Sequence, residues 1–200
     1  VKKSGVKNAN LLVRIPGWVR NQVVPSDLYK YSDAEKPAYT VTVNGKAVEA
    51  DLDANKGYLP VKNIKKGDVI RIHFDMPVRT VVANNKVADD KGKVAVERGP
   101  LVYCAEAVDN SNEPVLRAVV AKKPTFTLVD NYSIQNTETK GAPAFSVKAI
   151  KTDAQVLEEG ANGISVKNDK LTLIPYYAWN HRGANEMNVW FIQNLSMLDK

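Results

Sequence analysis

The one cysteine of the chain, Cys104, lies in the stretch KVAVERGPLVYCAE between two glutamates, Glu97 and Glu106. A thiol between carboxylates could act as a nucleophile with an acid–base partner. A reactive thiolate needs a cationic neighbour or a helix N-terminus to lower its pKa. If residues 101–106 form a strand, Cys104 shares a face with Val102, and both faces of the strand are largely apolar. We therefore predict that Cys104 is a small buried core residue.

A second candidate site is the stretch IPYYAWNHRGANEMNVWFIQ, which concentrates aromatic side chains next to polar ones. Its candidate residues are Tyr176, Tyr177, Trp179, His181 and Arg182. Flat aromatic rings with polar partners could stack on a sugar ring, or they could anchor an interface. We favour a core turn with Tyr177 and Trp179 inward, or a domain interface, because large aromatics supply most of the burial in small β domains.

The sequence predicts no metal site and no cofactor. The two histidines, His73 and His181, lie far apart, and no Cys-x-x-Cys or His-x-x-x-His spacing is present. The Asn and Asp residues between 84 and 90 could supply oxygen ligands to calcium, but lysines are interleaved and the spacing is not that of an EF-hand loop. They favour a hairpin loop instead. The adjacent carboxylates Glu158 and Glu159 give no basis for a glycosidase pair about 5–9 Å apart across a cleft.

Short strands bounded by turn residues must position these side chains. Asn44-Gly45, between two alternating segments, is the strongest hairpin signal. Residues 153–159 could be one helical turn or another strand. No long segment has the periodicity of an amphipathic helix, so we predict an all-β protein of two tandem antiparallel β-sandwich domains, jelly-roll or Ig-like. The polar loop 108–114 predicts the boundary between domains 1–107 and 108–200.

Composition excludes several classes of partner. The net charge is +6, but the lysines are scattered and no nucleic-acid-binding motif occurs, so we expect no nucleic-acid partner. Lysines at turns and strand edges, where they oppose edge-to-edge pairing, account for the charge. No apolar run approaches the roughly 18–20 residues of a membrane span, and the first residues lack the apolar region of a signal peptide. A single cysteine cannot form an internal disulfide and indicates no compartment.

Several motifs together resemble one family. Their order along the chain is LLVRIPGW, GYLPV, RGPLVYC and PYYAW, the last followed by RG and EM. They are similar to the C-terminal region of glycoside hydrolase family 127, the β-L-arabinofuranosidase family. The resemblance spans nearly the whole chain. RGPLVYC and PYYAW are its specific parts.

The resemblance implies an N-terminal (α/α)6 helical barrel followed by two β-sandwich domains. The family's catalytic glutamates and zinc-linked cysteines lie in that barrel, in motifs that precede anything in this sequence, so no catalytic residue is transferred to this chain. The resemblance further implies a parent enzyme that hydrolyses arabinose-containing glycans in bacterial polysaccharide degradation.

Two functions follow as hypotheses. In the first, the chain is a non-catalytic accessory region that braces the helical barrel of the same polypeptide. In the second, it is a carbohydrate-binding module with a glycan as its partner. The candidate residues for a domain interface or for sugar binding are Trp18, Tyr58, Tyr176, Trp179, His181 and Arg182, with Trp190 as a further aromatic for the second hypothesis. Hydrolysis by this chain alone is not expected.

Overall fold

The computed structural model describes residues 1–2, 9–121, 124–134, 145–160 and 163–193. In this part of the chain the regular structure is strand and short 3-10 turns, which confirms the predicted all-β class. The strands are β1 (Ala9–Arg14), β2 (Tyr29–Tyr31), β3 (Tyr39–Val43), β4 (Lys46–Ala47), β5 (Tyr58–Ile64), β6 (Ile70–Phe74), β7 (Val78–Ala83), β8 (Lys93–Arg98), β9 (Leu101–Glu106), β10 (Ala118–Val120), β11 (Phe126–Ile134), β12 (Phe145–Gly160), β13 (Gly163–Pro175), β14 (Met187–Asn188) and β15 (Phe191–Ile192). The 3-10 turns are Gly17–Arg20, Ala88–Asp90, Ala107–Asp109, Val115–Arg117 and Tyr176–Ala178. None of the helices among the described residues is long and apolar enough to cross a membrane.

The chain divides into two compact units, Val1–Pro77 and Val78–Lys200. The sequence predicted the division at the polar loop 108–114, so the observed division falls earlier. The physical reason is that β8 and β9, which precede this loop, pair with strands that follow it. The loop folds back as part of the second unit.

The first unit packs two small antiparallel sheets over one core. β1 pairs with β5, and β3 pairs with both β4 and β6. Both sheets supply buried apolar side chains to the same cluster. Its fully enclosed members are Val13, Ile15, Val19, Val41, Leu59, Val61 and Ile64. This is the sandwich arrangement that alternating short strands predict.

The hairpin between β3 and β4 has the predicted turn. Asn44 and Gly45 have φ angles of 51° and 82°. Two successive positive φ values define the type I′ turn, whose twist matches that of the flanking strands. The Asn44 side chain also bonds to Asp68 and to the amide of Val69, which ties the turn to the start of β6.

In the second unit the strand pairings close a circuit. The order β9, β13, β12, β10, β15, β8 returns to β9, because β8 and β9 also form a hairpin. All these pairs are antiparallel except β10 with β15. β7 pairs with β8, β11 with β12, and β14 with β9. The segment 153–159, left open by the sequence, is strand.

The circuit encloses an apolar core to which each of its six strands contributes. Its buried members are Val94, Val96, Tyr103, Ala105, Val115, Ala118, Val120, Ile150, Ala154, Leu171, Leu173 and Phe191. Residues two apart on one strand recur in this set, as the strand period requires. The opposite faces of β9, β12 and β13 therefore point out of the circuit and need a second covering layer.

That second layer holds the candidate site. Cys104, Val147, Ala149 and Ile174 form an outer apolar cluster with Ile134 and Ala178. β11 and the segment that follows β13 pack against this cluster. The aromatic stretch identified in the sequence is thus the cover of the outer layer.

Candidate functional site

Cys104 is enclosed at the centre of the outer layer. It is fully buried, and it pairs with Ile174 of β13. Burial, reinforced by the nearby charges of Glu106 and Asp109, raises the pKa of the thiol to about 12, although Arg182 acts in the opposite sense. A thiol with this pKa is almost entirely protonated near neutral pH. The prediction that Cys104 is a small buried core residue is confirmed.

Two residues further along β9, Glu106 takes part in a buried ion triad. One guanidinium nitrogen of Arg182, Nη2, donates to Glu106 Oε2 and lies 2.5 Å from Asp109 Oδ2. The other, Nη1, lies 2.5 Å from Asp109 Oδ1. The side chains of Arg182, Glu106 and Asp109 are 6%, 0% and 2% exposed. The fork geometry of arginine matches both oxygens of the Asp109 carboxylate.

Neutral donors supply further hydrogen bonds to the two carboxylates of the triad. Glu106 Oε1 accepts from the backbone N–H of Asn180 and from the side-chain amide of Asn185, each at 3.2 Å. Tyr132 donates its hydroxyl to Asp109 Oδ1 at 2.7 Å. Buried charges persist only when they are paired and hydrogen-bonded in this way.

The surroundings of the triad raise the pKa values of Arg182 and Tyr132. Burial of the Arg182 guanidinium favours its neutral form, but the hydrogen bonds to Asp109 and Glu106 outweigh that effect and raise its pKa above the ordinary value. Burial and the hydrogen bond to Asp109 raise the pKa of Tyr132 to about 12. Arg182 therefore stays charged. Its ion pairs with Glu106 and Asp109 hold the aromatic stretch against β9.

Two tyrosines of the aromatic stretch, Tyr176 and Tyr177, lie at the surface. Tyr176 is 44% and Tyr177 is 63% exposed, whereas Ala178 beside them is buried. Trp179 is half-buried against the outer cluster, and its ring lies 5.8 Å from that of Tyr176 at an interplanar angle of 35°. The sequence-based expectation that Tyr177 points inward is therefore wrong. Ala178 occupies the inward position of the 3-10 turn, and Trp179, which follows the turn, packs against the outer cluster as expected.

His181 and Arg182 are adjacent but have different surroundings. His181 is exposed, and its ring meets that of Phe145 edge-on with centroids 5.8 Å apart. The Arg182 side chain is enclosed with its two carboxylates. Of the predicted site residues, the structure thus brings Tyr176 and Trp179 together, and it pairs Arg182 with Glu106 and Asp109.

Trp18 and Tyr58 belong to the first unit. Trp18 packs on the first core, with its ring 5.8 Å from Phe74 in an edge-on arrangement. Tyr58 is 39% exposed and pairs across the sheet with Arg14. Trp18 therefore packs against the core of the first unit, and Tyr58 is partly exposed at the surface.

Sequence reasoning missed the partners of Arg182. In the sequence, Glu106 stands only as a neighbour of Cys104, and Asp109 lies within the polar loop 108–114 that predicts a domain boundary. The available signal was a glutamate on the apolar face of a predicted interior strand, because a buried carboxylate must have a partner. Among the described residues, no group of three or more His, Cys, Asp or Glu side chains is arranged to hold a metal ion.

The fold defines a pair of all-β domains, and in the second unit the single thiol is buried and two buried carboxylates are paired with Arg182. Family comparison identifies them. The chain belongs to glycoside hydrolase family 127: residues 1–76 match the model described as "Beta-L-arabinofuranosidase, GH127 middle domain", and residues 78–192 match the "Glycoside hydrolase family 127 C-terminal domain". The resemblance found in the motifs is confirmed, and the boundary between the two matches agrees with the boundary between the two units.

Relatives that are named as arabinofuranosidases are much longer than this chain. A "Non-reducing end beta-L-arabinofuranosidase" of Bifidobacterium longum subsp. longum is 34% identical over 184 residues, which are 89% of this chain and 25% of the relative. The solved structure of a GH127 beta-arabinofuranosidase has a TM-score of 0.83 at 46% identity, covering 95% of this chain and 28% of that one. A GH127 beta-L-arabinofuranosidase from Geobacillus stearothermophilus T6 has a TM-score of 0.71 at 28% identity, covering 94% and 27%. The chain spans about a quarter of the length of these relatives.

Proposed function

We propose that the two domains are the non-catalytic accessory part of a glycoside hydrolase and brace an N-terminal (α/α)6 catalytic barrel of the same polypeptide. The observation that carries the proposal is the pair of matches to a middle and a C-terminal domain, over 25–28% of relatives named as arabinofuranosidases. The parent enzyme then hydrolyses arabinose-containing glycans, by analogy with the names of those relatives.

The chemistry of the second unit supports this role. A nucleophile or general acid must reach the substrate within hydrogen-bond distance. Cys104 and Glu106 are fully buried, and Asp109 is tied to Arg182. The groups that looked reactive in the sequence therefore stabilise the fold.

A direct comparison of activities tests the non-catalytic part of the proposal. The chain and the full-length parent are assayed in parallel on an aryl β-L-arabinofuranoside. We expect turnover by the parent and none by the chain at a hundredfold higher concentration. Turnover that scales with the concentration of the chain and persists through repeated purification would show that the chain is itself an enzyme.

Bracing is tested in the parent. Removal of residues 78–192 should lower the melting temperature of the remaining protein and its activity, because the barrel loses the surface that supports it. Arg182→Ala in the full-length parent is the milder variant, since it loosens only the second unit. A truncated parent with unchanged melting temperature and unchanged kcat/KM contradicts the bracing role.

Carbohydrate binding through the aromatic turn is the second candidate, favoured by the exposure of Tyr176 and Tyr177. Aromatic faces held in place by a rigid turn can stack on sugar rings. Calorimetric titration of the chain with arabinan should then give a heat of binding that Tyr177→Ala abolishes. Absence of binding on a glycan array and in the titration rules this candidate out.

A further inference from the structure

The second unit has a polar cleft apart from the aromatic turn. The cleft lies between the loop 109–115 and the β12–β13 hairpin, with a volume of about 240 Å³. We propose that it binds one sugar ring or another small neutral polyol. This inference goes beyond the accessory role, because the chain can brace a barrel whether or not the cleft is occupied.

The loop wall of the cleft is held rigidly. The Asn110 side chain accepts from the Thr172 N–H at 2.7 Å and donates to the carbonyls of Glu106 and Thr172 at 2.8 and 3.1 Å. Asp109, the preceding residue, is fixed by the ion triad. A site on such a wall loses little conformational entropy when a ligand binds, which is the advantage of preorganisation.

The rim offers both donors and acceptors to a ligand. Ser111 and Lys151 line the cleft and are exposed, and neither side chain has a partner among the described residues. Glu113 and Asp169 also line it, and Lys167 bridges them at 3.2 and 3.5 Å. The lining thus includes a hydroxyl group, an ammonium group and two carboxylates.

Charges of both signs border the cleft, which suits a ligand that both donates and accepts hydrogen bonds. Lys170, a further lining residue, is paired with Asp153. Lys167 and Lys151 together offset the charges of the two rim carboxylates, whereas Asp109 belongs to the ion triad of one cation and two anions. A free anion would meet the carboxylates, and a free cation would meet the lysines. Sugar hydroxyls donate to carboxylates and accept from ammonium groups, so a polyhydroxylated molecule satisfies both.

The size of the cleft selects one ring. Pockets for drug-sized ligands have volumes of roughly 300–1,000 Å³, and this cleft is smaller. Its lining contains no aromatic side chain, so binding rests on hydrogen bonds that compete with water. We expect a dissociation constant in the millimolar range, about the strength expected of a few such bonds.

Amide-detected NMR titration of the chain with L-arabinose tests the proposal. Saturable shifts should appear at residues 110–113, 151 and 169–172. Lys151→Ala and Ser111→Ala should each weaken binding about fivefold to tenfold. The matched control Lys91→Ala, an exposed lysine on another loop, should bind as the native chain does.

The arms of the experiment separate the alternatives. Tyr177→Ala must leave the titration unchanged, because the aromatic turn is a different surface. Shifts confined to residues 176–181, or tighter binding of inorganic phosphate than of L-arabinose, overturn the proposal. So does the absence of saturable shifts at 100 mM sugar. None of these outcomes bears on the accessory role, which the activity comparison tests separately.

Discussion

At the scale of single residues, Arg182 decides whether two buried carboxylates are tolerated. Its guanidinium is the cation that contacts both Glu106 and Asp109. Removing one member of a buried ion group leaves an uncompensated charge, which costs about 3–5 kcal/mol. We expect Arg182→Ala to lower the free energy of unfolding of the second unit by that amount, measured by urea denaturation.

The control for this prediction is Arg71→Ala, which removes an exposed arginine from β6. Its effect should stay within about 0.5 kcal/mol, as for most surface changes. Near-ultraviolet circular dichroism, to which Trp179 contributes, provides a second readout, because Arg182 of the triad closely follows in sequence the turn that precedes this ring. An Arg182→Ala protein with native stability and native dichroism contradicts the structural role of the triad.

The buried thiol predicts a loss of stability in alkaline solution. The folded state raises the pKa of Cys104 from about 9 to about 12, so it holds the proton more tightly than the unfolded chain does. The resulting stabilisation is complete below about pH 9 and is lost as the pH rises towards 12. Tyr132, also raised to about 12, adds to the same trend. We expect the free energy of unfolding to fall between pH 9 and 11, with a shallower slope in Cys104→Ala; equal slopes would contradict the prediction.

Local sequence patterns predicted the burial of single residues such as Cys104. They did not predict which residues contact one another in the site. Strand alternation placed Cys104 in a core, because that inference needs only neighbours in sequence. The triad joins residues more than seventy positions apart, Glu106 and Arg182. No local propensity encodes such a pair. Tyr177 was placed inward because aromatics are usually buried, but the short 3-10 turn gives the inward position to Ala178.

At the scale of elements, the two-residue strand β15 completes the circuit of the second unit. Phe191 is fully buried in the enclosed core and pairs with Val94. Truncation of a buried phenylalanine costs about 3–5 kcal/mol. Phe191→Ala should therefore destabilise the second unit strongly in thermal unfolding, whereas Tyr177→Ala, at an exposed position, should have little effect. Similar losses from both variants would contradict the assignment of β15 to the core.

The β3–β4 turn gives a prediction for the first unit. Gly45 has a φ of 82°, and a Cβ added there would meet no atom within 4 Å. The cost of Gly45→Ala is therefore purely conformational, about 1–2 kcal/mol for an L-residue in the left-handed region. Gly45→Asn, which tolerates that region, should cost less. Chemical denaturation of the two variants gives the comparison, and equal losses would point to a cause other than backbone strain.

Elements with a local signature were predictable, and those defined by distant partners were not. Asn44 and Gly45 specify their turn by themselves. The domain boundary was misplaced because the loop 108–114 has the composition of a linker. What assigns β8 and β9 to the second unit is their pairing with β15 and β13, which are about seventy to a hundred residues away in sequence. Such pairings are invisible to composition.

At the scale of the whole molecule, the two units have separate cores and should respond separately to damage. Phe191→Ala should accelerate amide hydrogen exchange within residues 78–192 and leave the strands of the first core, β1, β3, β5 and β6, protected. Val41→Ala, in the first core, should have the converse effect. Faster exchange throughout the chain in both variants would show that the units unfold as one.

Closure of the strand circuit has a consequence for synthesis of the protein. β8 is complete about a hundred residues before its partner β15 is made. At a translation rate of about 5–20 residues per second, several seconds pass between the synthesis of β8 and that of Phe191, so the core stays incomplete during this time. During that interval the nascent second unit presents open strand edges and an unfilled apolar interior, which is the state that chaperones bind. The sheets of the first core, β1 with β5 and β3 with β4 and β6, lie within residues 9–74, so they can form while the second unit is still being translated.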